Sequence, residues 1–292
     1  MLSELKELWK FRELLLTMVQ REIRIRYKNS ALGFLWSMLN PLITVLVMSF
    51  MFSNFLHKDT PSVTAYILAA YLPFTFFQLC LLDSAQSILI AMPLLKKIYL
   101  PREILPIASV ISNFIHLLLA FCTFFLYLLV VYVFFPGEHG LRQWPFQIGT
   151  LLLPVLLLIN LALSLGLSFF ISALNTFYED VKYIVAVGVY LMLFMCPILY
   201  FEEDVAFSTL NNPQHWHGLL YNAMNLNPVF ALSNAYRKLL IAPNKIKVDG
   251  HLVDPLPLDW RYVGWAAIVS VVILITGYNT FNKLKWRFVE RP

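Results

Sequence analysis

The chain has 292 residues, 59% of them hydrophobic and only 13% charged, with a formal net charge of +5. Soluble domains carry about 25% charged residues, so this composition excludes a water-soluble globular protein and leaves an integral membrane protein. At roughly 20 residues per span plus connections, the length accommodates about six membrane helices in one domain.

Residues 2–28 place Leu5, Leu8, Trp9, Leu15, Leu16, Val19 and Ile23 at helical spacing, with Lys6, Lys10, Gln20, Arg21 and Arg24 largely around the rest of the helix. That pattern predicts an amphipathic helix lying in the membrane interface. The mixed polar and apolar stretch ahead of the first long apolar run is not built like a cleavable signal, so that run is expected to stay in the mature protein. The cations Arg12, Arg21, Arg24, Arg26 and Lys28, with Tyr27 beside the last, lead directly into it.

Six apolar runs follow: Leu32 to Phe55 with Pro41 near its start, Val63 to Met92 interrupted by Asp83, Ile104 to Phe135 interrupted by His116, Phe146 to Leu174, Tyr183 to Phe201, and Trp260 to Phe281. The segment between the last two, residues 202–259, is apolar in places, but Asn222, Asn225, Asn227 and Pro228 divide it into pieces too short to cross the membrane. A hairpin of short helices dipping into the outer leaflet is the expectation there. With six spans and a cytoplasmic N-terminus, most of the 22 Lys and Arg fall on the cytoplasmic side, including those of the terminal "KLKWRFVERP". A seventh span would reverse this distribution, so both ends are expected inside.

The breaks between spans hold the functional candidates. After the second run, "MPLLKKIYLPREILP" predicts a short amphipathic helix between prolines, with Leu94, Leu95, Ile98 and Tyr99 on one face and Lys96 and Lys97 elsewhere. This is either a docking knob for a partner or a turn whose lysines obey the inside-positive rule. The break "ALNTFYEDVKYI" sets Glu179 and Asp180 together without a nucleophile or metal ligand beside them, which reads as a helix cap or a second partner contact.

Asp83 is the acid well inside a span, either a substrate or gating residue or a group hydrogen-bonded to Gln86 or Ser87. His116 faces a cavity or makes an interhelix hydrogen bond. Tyr66, Tyr71, Phe74, Phe76, Phe77, Tyr190, Phe194 and Tyr200 concentrate in the second and fifth runs, where they offer flat faces for stacking or serve as interface belt and packing. Cys80, Cys122 and Cys196 each sit in an apolar run, and "HWH" at His215 to His217 lacks further ligands, so no disulfide framework or metal site is expected.

Taken together, "RIRYKNSALGFLWSMLNPL", "KKIYLPREILPIASVISNFIHLLL", "NTFYEDVKYIVAVGVYLMLFMCPILY" and "NLNPVFALSNAYRKLL" resemble the type-2 ABC-exporter permeases for polysaccharides. These are the membrane subunits that export O-antigen, capsule and wall teichoic acid. The likeness extends in order over residues 12 to 241.

The resemblance implies an all-α integral membrane protein: an interface helix over residues 1–30, carrying Trp9, Arg21, Arg24, Arg26, Tyr27 and Lys28, and a six-span domain over 31–292 with re-entrant helices in the external region 202–259. It implies coupling to an ATPase through Leu94, Leu95, Lys96, Lys97, Ile98, Tyr99, Arg102 and Glu103, with a second contact at Tyr178, Glu179 and Asp180. Many members carry Arg ahead of that Asp, where this chain has Glu179. Asn227, Pro228 and Arg237 match an Asn-Pro…Arg pattern, read either as a chain-turning device or as a substrate contact.

The partners so implied are a cytosolic ABC ATPase, a second copy of this chain, membrane lipid and a polyprenyl-diphosphate-linked polymer in a bacterial cytoplasmic membrane; nucleic acid is not among them. The chain lacks a phosphate-binding G-x-x-x-x-G-K-[ST] loop, so no cofactor is expected in it, and ATP and Mg belong to the partner. The substrate path is expected along Tyr66, Tyr71, Phe74, Phe77, Asp83, Tyr190, Phe194, Tyr200 and Arg237. The loop cations Arg237, Lys238, Lys245 and Lys247 tilt the cargo toward phosphate-rich wall teichoic acid, with O-antigen or capsule as the alternative. A membrane-embedded glycolipid-modifying enzyme, a channel and a proton-coupled carrier explain the N-terminal helix and the bracketed loop less well.

Overall fold

A computed structural model describes residues 9–26, 63–97, 100–134, 146–207, 216–241, 246–248 and 251–289, with isolated helical positions between 35 and 51. In chain order the elements are α1 (Arg12–Arg26), α2 (Val63–Leu95), α3 (Ile104–Phe134), a 3-10 turn (Ile148–Leu152), α4 (Leu153–Phe177), α5 (Val181–Met195), α6 (Glu202–Phe207), α7 (Trp216–Asn225), α8 (Pro228–Leu240), β1 (Ile246–Val248), β2 (His251–Val253), α9 (Trp260–Leu284) and a terminal 3-10 segment (Lys285–Val289). The expected helical class holds among the described residues, where one small antiparallel hairpin, β1–β2, pairs Ile246 with Val253.

Among the described residues, four stretches are long and apolar enough to cross a membrane: Thr64–Leu95, Ile104–Phe134, Ile148–Phe177 and Trp260–Phe288. They correspond to the second, third, fourth and sixth predicted runs. The first run lies mostly outside the described residues. The fifth is the shorter helix α5, whose 15 residues rise about 22 Å at 1.5 Å each, less than a hydrocarbon core of about 30 Å. Its predicted continuation to Phe201 fails because Pro197 has no N–H to extend the ladder; the last helical bond is Cys196 N to Met192 O at 2.9 Å.

α2 tolerates two prolines, at positions 73 and 93. The break expected before Leu94 is therefore absent: Leu94 and Leu95 complete the last turn of α2, and Lys96 and Lys97 turn the chain. Ile98 and Tyr99 of the expected loop helix, and Tyr27 and Lys28 of the interface helix, lie outside the described residues.

Among the described residues the helices bury two apolar cores. The larger gathers α2, α3, α4, α8 and α9 around residues such as Phe77, Phe124, Leu156, Phe230 and Ala266. The second lies at the opposite end of the bundle and joins Met18 and Val19 of α1 to Ile88, Ile104, Phe169, Phe281 and Phe288. Both terminal segments meet in this second core, and we call that end proximal.

α4 packs most extensively on α9, and the approach is close because glycines face each other. A Cβ on Gly166 would sit 2.6 Å from Leu274 N, and one on Gly277 would strike the Gly166 carbonyl oxygen. Small residues at such crossings let membrane helices gain backbone-to-backbone packing where no hydrophobic drive separates helix from lipid.

Candidate functional site

The proximal end is assembled from α1, the α2–α3 connection, the α4–α5 turn and the C-terminal segment. α1 is anchored there by Met18 and Val19, both buried. Its last residue reaches across to two spans: Arg26 Nη2 donates to Asp83 Oδ2 at 2.5 Å, and Arg26 Nη1 to Asn113 Oδ1 at 2.8 Å. Asn113 Nδ2 closes the triangle on Asp83 Oδ2 at 2.9 Å.

The intramembrane carboxylate thus has partners that the local sequence did not offer. Gln86 and Ser87 are one turn away, but Ser87 Oγ donates to Ser84 O at 2.8 Å. Beside the triangle, a cleft of about 300 Å³ opens between α1 and the α2–α3 pair, with Arg21, Glu22, Gln86 and Ser109 in its wall. The charges of Arg21, Arg26, Glu22 and Asp83 balance within it.

The α2–α3 connection starts α3 with Glu103, whose carboxylate accepts from Lys285 Nζ at 2.5 Å. Glu103 is 4% exposed, and Arg102 beside it lies 6.0 Å from the Trp286 ring and 5.9 Å from Phe288. Tyr178, Glu179 and Asp180 form the exposed turn between α4 and α5. There Asn175 bridges, donating to Ala85 O at 2.7 Å and accepting from Lys182 N at 2.9 Å. The structure therefore gathers Arg102, Glu103 and the 178–180 turn at one end with Lys96 and Lys97, while Trp9, Arg21, Arg24 and Arg26 lie on α1 and its lead-in beside them.

At the distal end the Asn-Pro motif acts locally. Asn227 Oδ1 caps α8 by accepting from Val229 N at 3.0 Å, and Pro228 occupies the first helical position, where its missing N–H costs nothing. α7 and this corner are tied to α9 by Tyr262 Oη donating to Asn222 Oδ1 at 2.6 Å and Trp265 Nε1 to Leu226 O at 3.1 Å.

Arg237 is 1% exposed. Its guanidinium donates to Ile198 O at 2.5 Å, Tyr200 O at 2.9 Å and Tyr66 O at 3.3 Å, and lies 4.3 Å from the Tyr66 ring. The carbonyls released where α5 ends are thereby satisfied by one side chain from α8. Lys238 pairs with Glu202, which also accepts from Asn234. Neither cation is presented to a passing polymer, and this removes the support that Arg237 and Lys238 lent to a phosphate-rich cargo. Burial pushes the Glu203 carboxyl upward, against the Leu256 amide and the Arg237 charge.

The aromatic candidates separate into two sets. Phe74 and Phe77 are core residues at 2% and 1% exposure. Tyr66, with Arg237 against it, lies 4.5 Å from Phe201, Tyr71 packs against the same core, and Tyr200 donates its hydroxyl to Met195 O. Tyr190 and Phe194 stand on the outer side of α5 at 60% and 53% exposure, edge to face at 5.4 Å. Val189 is the buried residue of that helix. Lys285, Phe288 and Asn113 were not singled out from the sequence. A polar side chain inside an apolar run was the available signal for Asn113.

Residues 13–216 match the family model described as ABC-2 type transporter. The chain is 30% identical over 290 residues to the O-antigen export system permease protein RfbA of Myxococcus xanthus, covering 99% of both chains. It is 25% identical over 278 residues to the protein of the same name in Klebsiella pneumoniae, covering 95% of this chain and 94% of that one. It is 28% identical over 210 residues to the polysialic acid transport protein KpsM of Escherichia coli, covering 70% and 74%. A multi-pass helical chain with this match over most of its length belongs to the ABC-2 type transporter family, among its polysaccharide-exporter permeases.

Proposed function

We propose that this chain is the membrane subunit of an ATP-driven exporter that moves a lipid-linked polysaccharide of the O-antigen or capsular class outward across a bacterial cytoplasmic membrane. The names of the relatives favour these cargoes over wall teichoic acid, and the burial of Arg237 agrees with that preference. The working unit is two copies of the chain with two ATPases beneath, each copy having six spans and both termini in the cytoplasm. α7 and α8 form the re-entrant hairpin in the outer leaflet.

The observation that carries the reading is the proximal end. Residues 96–97, 100–103 and 178–180, in segments expected to meet the ATPase, flank one packed core that also holds α1 and the last span. A push delivered there by ATPase closure reaches several spans at once, because interiors packed this densely transmit displacement rather than absorb it. The exposed face of α5, with Tyr190 and Phe194, is the apolar, sugar-stacking surface available to the path between the two copies.

The test is purification of the tagged chain from its native membrane, with mass spectrometry of bound protein and extracted lipid. An ABC ATPase together with a neutral or acidic glycan on a polyprenyl carrier is the expected result. A chain recovered with an ATPase but with polyol-phosphate polymer overturns the cargo, and one recovered with neither overturns the exporter.

A further inference from the structure

The C-terminal 3-10 segment is bound to both proximal loops by contacts that its own helix does not require. Lys285 reaches Glu103, 182 positions away, at 2.5 Å, with side chains 13% and 5% exposed. Phe288, 1% exposed, places its ring 5.5 Å from Phe281 and 5.7 Å from Phe177, the residue that ends α4 just before the 178–180 turn. Arg102 completes the clasp over Phe288 and Trp286.

A helix end needing only a cap would be served by a polar side chain or water. Here instead a buried charge pair and a buried ring fix segment 285–289 against the two connections. Glu103 is the point where this hold is directional, since its carboxylate sits at the start of α3, where negative charge is favoured, and is oriented by one ammonium.

We propose that Lys285 and Phe288 are positioning residues for ATPase coupling: they hold the start of α3, through Glu103 and Arg102, in register with the 178–180 turn, so that the two move as one body. This rests on the reading that these loops meet the ATPase. On this account Lys285 touches neither ATP nor cargo, and its loss leaves the ATPase bound while uncoupling hydrolysis from export.

The experiment has two readouts. In the first, the permease alone is reconstituted in lipid nanodiscs with a nitroxide on Lys97→Cys, in a Cys122→Ser background that removes the exposed native thiol. In the second, the permease–ATPase complex is assayed for ATP hydrolysis and polymer export together. Lys285→Met is expected to raise label mobility and to lower polymer exported per ATP several-fold, with ATPase retention unchanged. Lys285→Arg, which keeps the donor, and the exchange Glu103→Lys with Lys285→Glu are expected to restore both values toward wild type.

Label mobility and export per ATP that are unchanged in a folded Lys285→Met protein overturn the proposal. If that variant does not fold, Phe288→Leu takes its place under the same two criteria. A wild-type permease that retains no ATPase refutes the underlying reading instead, and the label on the isolated permease still decides whether the segment positions the loop.

Discussion

The Arg26–Asp83–Asn113 triangle gives a quantitative test of how α1 is held to the spans. Two unit charges at the observed 2.5 Å attract by ~7 kcal/mol at an effective dielectric near 20, and desolvation offsets most of this. The side chains are 30% and 35% exposed, so screening reduces the remainder, and a net coupling of about 1–2 kcal/mol is expected. Arg26→Ala should cost ~2 kcal/mol, because it also leaves Asn113 Oδ1 without the donor at 2.8 Å.

The assay is a double-mutant cycle of Arg26→Ala and Asp83→Asn, read by thermal unfolding in detergent at fixed lipid content, since only the cycle isolates the pair. Alkylation of Ser109→Cys in the adjacent cleft provides a second, local readout. Arg26→Ala should raise its rate by freeing the end of α1, while Asp83→Asn followed by Arg26→Ala should add little. Equal costs of Arg26→Ala in the wild-type and Asp83→Asn backgrounds would refute the reasoning, because the triangle would then be a geometric coincidence without energetic coupling.

Three further outcomes follow from single sites. Arg237→Lys should destabilise the protein by ~2–4 kcal/mol in thermal unfolding, because a point-like ammonium cannot serve the three carbonyls held by the fork, and proteolysis near residues 196–201 should accelerate. Gly166→Ala places a methyl 2.6 Å from Leu274 N and 2.7 Å from Ile273 C; the helices must part, at a cost of about 1–3 kcal/mol, visible as a lower unfolding temperature. The raised Glu203 carboxyl means that the folded state holds the proton more tightly. Its contribution to stability is present below the ordinary carboxylate range and lost as pH rises through the raised one, and Glu203→Gln should remove that dependence from a pH series of melting curves.

Much of the architecture was legible because hydropathy reports length. The runs at Val63, Ile104, Phe146 and Trp260 have no competitor but a membrane helix. The Asn227–Pro228 corner was legible too, as cap and first-turn proline are local chemistry. What the sequence obscured is contact between distant positions. Asp83 finds Arg26 at a separation of 57 positions and Glu103 finds Lys285 at 182, whereas a reading by spacing looks one helical turn away and finds Gln86 and Ser87. Arg237 was ambiguous for a different reason. An Arg on an amphipathic helix looks like a ligand contact until the carbonyls freed after Met195 are seen to require it. The fifth run was overextended because its apolarity continues past the end of the helix, although Pro197 marked the stop.

The way α5 is held indicates where motion can enter the subunit. α4 presents a buried polar stripe to α2, with Asn160 donating to Pro73 O, Ser168 to Cys80 O and Asn175 to Ala85 O, and the Gly166–Gly277 crossing fastens its other side to α9. These helices are tied along their lengths. α5 is tied at its ends, through Lys182 N on Asn175 at the proximal side and through the Arg237 bonds to Ile198 and Tyr200 at the distal side. Between those points it buries little beyond Val189 and leaves Tyr183, Val187, Tyr190 and Phe194 exposed. A displacement of the proximal loops would therefore pivot α5 about its distal Arg237 clamp and shift its aromatic face, while α2, α4 and α9 moved as one body. Such a division sets one helix held at two points against a block tied along its length, and every backbone group at the unwound end of α5 that Arg237 serves stays satisfied in it.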